Sequence, residues 1–324
     1  MTTYLPGIAG TDAAAVYAEA LRRLADAGLG PGDVVHVTEY GTEYGTGAVA
    51  ARDRLLDGHR APVSVVPVAG FPDPADTFAV ELAVFPGGGD LIDAGDGGVL
   101  RVAGDLVHLP GVHTTTGEFR DQYRWCLTRL GSLLRAAGLG LDALVRTTDF
   151  TATATRAEYP RCGRPRRELL GPVFPSAAGI LVDTPVEPGA AVSLDALAAR
   201  GPLRAVNPGW ARYDTLTYQP GIVAGNTLVM SGFGALDPSS QLAVHDGDLL
   251  AQAAFIYDNV DLVAGGATVT RLLEYVTPAG VADHGRLAAM RAERYPGAAV
   301  TSVVCSALLR PEFLLEVVPT AVLP

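Results

Sequence analysis

Glu316 sits in the run LLEVV, with apolar residues on both sides. A carboxyl group on such a strand loses water when the strand packs. That penalises its charged form and moves its pKa toward the range where it can give and take protons. The other residues with chemical potential are scattered. His113 follows the turn LPG, where an imidazole could act as acid or base near neutral pH. Arg146 opens a strand, and Arg310 precedes Pro311 in a turn. Either guanidinium could hold a carboxylate, although a solvated strand edge or a surface ion pair would also explain them. Cys305 lies mid-strand, where a thiol is a packing residue unless a base lies beside it, and the sequence names no such base. Arg161, Arg164, Arg166 and Arg167 in RCGRPRR could draw an anion, or could line the solvated face of a helix.

Several chemistries lack their residues. The six histidines show no HxxxH spacing and no CxxC pair exists, so no metal is expected. No GxGxxG follows a strand, no phosphate-binding GxxxxGK occurs and no GxSxG elbow is present, so no nucleotide cofactor is expected. The net charge of −11 disfavours nucleic acid as a partner. Hydrophobic residues make up 48% and charged residues 18%, which suits packed domains and not disorder. No apolar run reaches membrane-spanning length, and the N-terminus MTTYLPGIAGTD does not read as a signal peptide. Together with three widely spaced cysteines, this predicts a cytoplasmic protein with no membrane partner.

The candidate residues must be positioned by a repeat. AGLGPGDVVHVTEY (27–40), AGLGLDALVRTTDF (137–150) and GGATVTRLLEYVTP (265–278) each follow an apolar helix, and Gly28, Gly138 and Gly266 align. VAGDLVHLPG (102–111) matches VAGNTLVMSG (223–232), and YLPG (4–7) matches the tail of that block. The chain therefore reads as three copies of one unit, the first lacking its opening strand. Helices are expected at 12–27, 47–57, 118–137, 156–170 in part, 247–264 and 282–294, each followed by β-runs. A hairpin is expected around Gly104-Asp105. The units are bounded at 1–93, 94–200 and 218–324, with 201–217 as a linker. In this alignment Arg146 has His36 and Glu274 as counterparts.

A hairpin, helix, strand, helix and two strands in roughly 110 residues resembles the Rid (YjgF-type) enamine/imine deaminase family, in keeping with the size of a small domain. The resemblance rests on VMSGFGALDP, AQAAFIYDNVDLVAGGA, YPGAAVTSVV and FLLEVVPTAV in the third unit, and on HLPG, LVRTTDF and FPSAAGILVD in the second. It implies an α+β fold in which each unit is a β-sheet with two helices on one face. It also implies three units closing into an intrachain pseudo-trimer with pockets where units meet. The family's substrate-gripping arginine falls on Pro62, Ala177 and Thr301, so no unit has it. Its glutamate falls on Ala79, Ser193 and Glu316, so only the third unit has it.

The second and third units are also similar to chorismatases, cofactor-free enzymes that release pyruvate from chorismate. LVRTTDF, SAAGIL and SVVCSALLRPEFLLEV carry that similarity, whereas the first ~95 residues, about one domain's length, do not look like a chorismatase N-terminus. Together the readings predict a cofactor-independent enzyme for a small anionic metabolite. Glu316 and His113 would be catalytic, with Arg146, Thr148, Tyr275, Cys305 and Arg310 binding substrate. The chain would be a monomeric pseudo-trimer or a small homo-oligomer. A chorismatase-like hydrolase and a non-catalytic ligand-binding or scaffold protein are the alternatives.

Overall fold

A computed structural model describes residues 1–43, 46–96, 98–171 and 173–324. The first unit runs β1 (Thr3–Tyr4), β2 (Ile8–Gly10), α1 (Ala13–Asp26), β3 (Val34–Gly41), α2 (Thr46–Leu56), β4 (Val63–Pro67) and β5 (Phe78–Val84). Asp12 caps α1 by accepting from the Ala15 amide at 3.0 Å, and Val16, Tyr17, Ala20 and Leu24 form its buried stripe. The second unit has β6 (Asp90–Asp93), β7 (Val99–Ala103), β8 (Leu106–His108), β9 (Val112–His113) and α3 (Phe119–Ala136). It continues through β10 (Leu144–Ala152), a 3-10 stretch, α4 (Gly163–Leu169), β11 (Ser176–Val182) and β12 (Val192–Ala199). The third has β13 (Leu203–Val206), β14 (Gly221–Ala224), β15 (Thr227–Met230), α5 (Leu249–Ala264), β16 (Thr268–Val276), α6 (His284–Arg294), β17 (Ala299–Val304), β18 (Ala307–Leu308) and β19 (Leu315–Val322). The expected hairpin forms, with Gly104 at φ 62° in its turn; Gly97, at the start of its first run, lies outside the described residues.

Each unit has a sheet in which a long central strand runs parallel to the strand after the second helix and antiparallel to the last strand. The sheets meet in a cycle through one repeated hydrogen bond. The Gly7 amide donates to the Val300 carbonyl at 2.9 Å, Gly111 to Val63 at 3.1 Å, and Gly232 to Ala177 at 2.9 Å. Each glycine closes the LPG-type turn of one unit on the parallel strand of its neighbour, so the three units form a closed ring within one chain. Tyr40, Phe150 and Tyr275 occupy equivalent places and meet in one shared apolar cluster inside that ring.

The ladder registers correct three points of the sequence alignment. His36, Arg146 and Arg271 each follow the register shift near the start of the central strand and face Ala83, Leu197 and Thr320. The counterpart of Arg146 is therefore Arg271 and not Glu274. The first two units insert a 3-10 turn, 31–33 and 141–143, between helix and strand. The third passes from α5 to β16 through Gly265-Gly266-Ala267, so aligning on the glycine slips the strand by three residues. The place taken by Ala177 is held by Val63 and Val300, one residue from Pro62 and Thr301, and again no arginine stands there. Finally, the boundaries shift: β6 pairs with β7 inside the second sheet, and β13 of the expected linker pairs with β14.

The outer, helix-facing side of the central strands also carries a repeated device. Glu39, Asp149 and Glu274 are equivalent and buried. Each accepts from a tyrosine of the long helix, Tyr17 at 2.5 Å, Tyr123 at 2.8 Å and Tyr257 at 3.2 Å. An arginine from the following helical segment completes each cluster. Arg52 and Arg291 reach the carboxylates directly, and Arg166 reaches Tyr123. Burying these acids is tolerable because each has such partners.

Candidate active site

The junction of the second and third units opens into a cavity of about 270 Å³. Its floor is the start of β11 and the turn Gly232–Gly234, and Glu316 of β19 reaches into it. β19 pairs with β16 so that Glu316 faces Tyr275 across the ladder, in the place held by Ala79 and Ser193 in the other units. Glu316 is buried, and the donor that reaches it is the Gly179 amide, a long 3.4 Å from Oε1. Burial raises its pKa to about 8, which the Gly179 amide offsets only in part. At neutral pH the group is mostly a neutral acid.

Glycine gives this carboxyl group and its surroundings room on both sides. A Cβ on Gly232 would lie 2.0 Å from Glu316 Oε1. A Cβ on Gly179 would lie 2.6 Å from both the Tyr159 hydroxyl and Leu309 Cδ1. Gly179→Ala is therefore expected to crowd the cavity and weaken binding of any ligand by at least tenfold. Overpacking of this kind costs roughly 1–3 kcal/mol. Calorimetry against a ligand that the unmodified protein binds checks this, and unchanged affinity would contradict it.

Opposite Glu316 stands the segment read as a linker. Trp210 and Tyr213 stack with ring centroids 5.9 Å apart, and Arg212 lies 5.3 Å from the centroid of Tyr213. Arg212 Nη2 donates to the Tyr218 hydroxyl at 3.4 Å, while its buried Nε has no partner among the described residues. These residues escaped the sequence analysis because Pro, Gly and Asn made 201–217 look like a spacer. Its visible signal was the density of aromatic residues with arginine, Trp210, Arg212, Tyr213 and Tyr218.

The arginine cluster divides. Arg161 and Arg164 form exposed ion pairs with Glu158 and Glu168. Arg166 is buried and donates to the Thr217 carbonyl, Thr147 and Tyr123 on one side of the cavity. Asp149 borders the same cavity, with its pKa raised by burial, and accepts from Tyr159 at 3.1 Å.

The expected site residues do not all come together. Glu316 and Arg310 line this cavity. His113 lies at the junction of the first and second units, beside a different cavity of about 320 Å³, where it pairs with Glu187 at 3.0 Å. Pairing of β9 with Ser193 on the far edge of β12 places it there. Thr148 and Tyr275 are buried on the side of the central strands that faces the ring interior. Cys305 donates to the Val276 carbonyl at 3.6 Å, and burial pushes its thiol up to about 12, so it is an inert packing thiol. Arg146 is also buried in the ring interior, away from Glu316. Among the described residues no group of His, Cys, Asp and Glu could hold a metal ion, and no helix is long and apolar enough to cross a membrane.

No protein-family model and no curated protein sequence matches the chain. Among solved structures it is similar to a chorismatase at 18% identity and a TM-score of 0.62, over 89% of this chain and 93% of that one. That coverage exceeds the second and third units together, so the likeness extends into the first unit, contrary to the reading of the N-terminus. A Rid-family protein of Yersinia pestis matches 38% of the chain at 20% identity and a TM-score of 0.34, with all of its own chain covered. A member of the YjgF/YER057c/UK114 family from Mycobacterium tuberculosis matches 34% at 23% identity and a TM-score of 0.30, with 98% of its chain covered. The chain thus has an α+β fold similar to that of chorismatase.

Proposed function

We propose that this chain is a cofactor-independent enzyme that acts on a small anionic metabolite by proton transfer from Glu316. The observation that carries the reading is a carboxyl group held neutral near pH 7, pointing into a cavity that arginine and tyrosine side chains also line. A neutral acid in that position can protonate the carbon of an enamine or of an enol ether. Water then adds to the cation and returns one proton to the carboxylate; as the C–N or C–O bond breaks, the second proton of the added water passes to the departing nitrogen or oxygen, leaving a carbonyl. Arg212 and Arg310 would hold the anionic group of the substrate, with Tyr218 keeping the Arg212 fork in place. Arg212→Met is expected to raise KM about 10-fold or more, in line with loss of a charge-assisted hydrogen bond of roughly 1.5–3 kcal/mol. Steady-state kinetics test this, and an unchanged KM would remove Arg212 from the site.

A narrower version is hydrolysis of chorismate to pyruvate. The likeness to a chorismatase over 89% of the chain supports it. Incubation with chorismate, with pyruvate followed by a lactate dehydrogenase-coupled assay, tests the narrow reading. A panel of enamines and imines, scored for ammonia release, tests the broader one. Silence in both assays, with no ligand bound in the cavity, would favour a scaffold role instead.

A further inference from the structure

The three buried acids on the helix-facing side of the central strands are not served alike. In the first unit Glu39 takes Tyr17 on one oxygen and Arg52 on the other, at 2.5 and 3.0 Å. In the third, Glu274 takes Tyr257 at 3.2 Å on one oxygen and Arg291 at 2.5 Å on the other, where Ser302 of β17 also donates. In the second unit the arginine has moved off the acid. Arg166 Nη1 donates to Tyr123 and Thr147, both at 2.9 Å, and its charge reaches Asp149 only through space. A second tyrosine serves the carboxylate instead. Tyr159, from the 3-10 stretch Thr153–Cys162, donates to Asp149 Oδ2 at 3.1 Å beside Tyr123. The facing strand changes too, since Gly179 pairs with Asp149 where Ser302 pairs with Glu274.

These departures fall in the unit that borders the Glu316 cavity, and Asp149, Tyr159, Arg166 and Gly179 all line it. A Cβ on Gly179 would lie 2.6 Å from the Tyr159 hydroxyl, and the Gly179 amide is the donor that reaches Glu316. The tyrosine hydroxyl and the Glu316 carboxyl group thus both lie against the backbone of Gly179. A guanidinium offers donors alone, whereas a phenol has one proton and lone pairs that accept. The Tyr159 proton is committed to Asp149, and burial, with the Asp149 charge, holds its pKa well above the ordinary range, so it stays a phenol. It therefore presents an acceptor to the cavity. Asp149 Oδ1 is a second acceptor, buried and with no partner among the described residues. Such acceptors call for a donor on the ligand. The guanidinium groups of Arg166, Arg212 and Arg310 around the same cavity disfavour a cationic donor, and a hydroxyl is the neutral group that fits.

We propose that Tyr159 is a specificity-determining residue that accepts a hydrogen bond from a hydroxyl group of the substrate, with Asp149 as the positioning residue that fixes the Tyr159 proton. The substrate class narrows from a small anion to a small hydroxylated anion. This rests on the reading that the cavity takes a small anion, and binding measurements separate the two. Shikimate and cyclohexene-1-carboxylate share a ring and a carboxylate and differ in the ring hydroxyls. Calorimetry on the full chain is expected to show shikimate binding about 10-fold tighter or more, because the analogue leaves the acceptors unpaired. Equal affinity for both would leave the anion cavity standing and overturn the hydroxyl subsite. Binding of neither would remove the anion reading and this inference with it.

Tyr159→Phe is expected to bring the ratio of the two affinities down to about threefold or less, since the ring stays and the acceptor goes. Asp149→Leu frees the Tyr159 proton, and the same ratio is expected to fall. An unchanged ratio, or an equal weakening of both ligands, would mark a packing role for these residues and overturn the proposal. If neither variant folds, crystals of the unmodified protein soaked with shikimate decide. A ring hydroxyl within hydrogen-bond distance of Tyr159 Oη would support the assignment, and shikimate seated with its hydroxyls elsewhere would overturn it.

Discussion

Glu316→Gln is expected to lower kcat by about 10²- to 10⁴-fold, the usual contribution of a positioned general acid. The amide preserves the shape of the side chain and can still accept from the Gly179 amide, but it has no proton to give at the reacting atom. The pH profile carries equal weight. If the neutral acid is the active form, kcat/KM falls as pH rises through about 8, the value to which burial pushes Glu316. A profile that instead rises across pH 7–9 would mean that the carboxylate acts as a base. A variant with unchanged turnover would remove Glu316 from the chemistry altogether.

The same pKa makes an independent prediction about stability. The folded chain keeps the Glu316 proton up to about pH 8, while the unfolded chain releases it near 4.5. Between those values the folded state binds more protons, so its stability falls as pH rises, with the whole loss reached above pH 8. The loss is on the order of a few kcal/mol, because each tenfold change in proton affinity between the two states is worth about 1.4 kcal/mol. Glutamine cannot ionise. The variant should therefore gain stability relative to the parent between pH 4 and pH 9 while it loses activity. Urea denaturation at the two pH values measures this, and a difference that does not change with pH would show that Glu316 is ionised or solvated in the folded chain. Opposite effects on rate and stability are what an acid retained for chemistry should give.

Much of this arrangement was legible in the sequence, for reasons that differ by residue. The helices were visible because their apolar stripes repeat at helical spacing, as in Phe119, Tyr123, Leu127, Leu130 and Leu134. The ring was expected because three copies of a Rid-like unit in one chain could close into one trimer, and Gly7, Gly111 and Gly232 make its three closing hydrogen bonds. Glu316 stood out as an acid in an apolar strand. Registers were not legible, since a glycine marks the end of a helix and not the start of the next strand. The three-residue difference in that turn hid the equivalence of Arg146 and Arg271. Inside and outside were not legible either. Arg146, Thr148 and Tyr275 point into the ring, while Asp149, next to Thr148 in the chain, points to the helices. Only ladder pairing decides which side a residue takes. Arg212 was missed because its segment is held by neighbours distant in sequence and has no periodicity of its own.

Arg271→Met is expected to destabilise the chain by about 3–5 kcal/mol, the cost of leaving one partner of a buried ion pair alone. Arg271 and Glu81 are both buried, lie in different units and are 190 residues apart in sequence, so the pair ties the third unit to the first. Without Arg271, the Glu81 carboxylate keeps the Thr301 hydroxyl but no counter-charge within the pair, and Tyr4, whose ring centroid lies 4.4 Å from the guanidinium carbon, loses its packing partner. Glu81→Leu should be costly for the mirror reason, since it leaves a second buried guanidinium beside Arg146. The double variant should be more stable than either single one, because two apolar side chains can replace a buried pair with little net loss. Chemical denaturation of all four proteins closes this cycle. A coupling energy of several kcal/mol would establish that the charges are retained for mutual compensation across the ring, whereas additive costs would show that each side chain matters only for the space it fills.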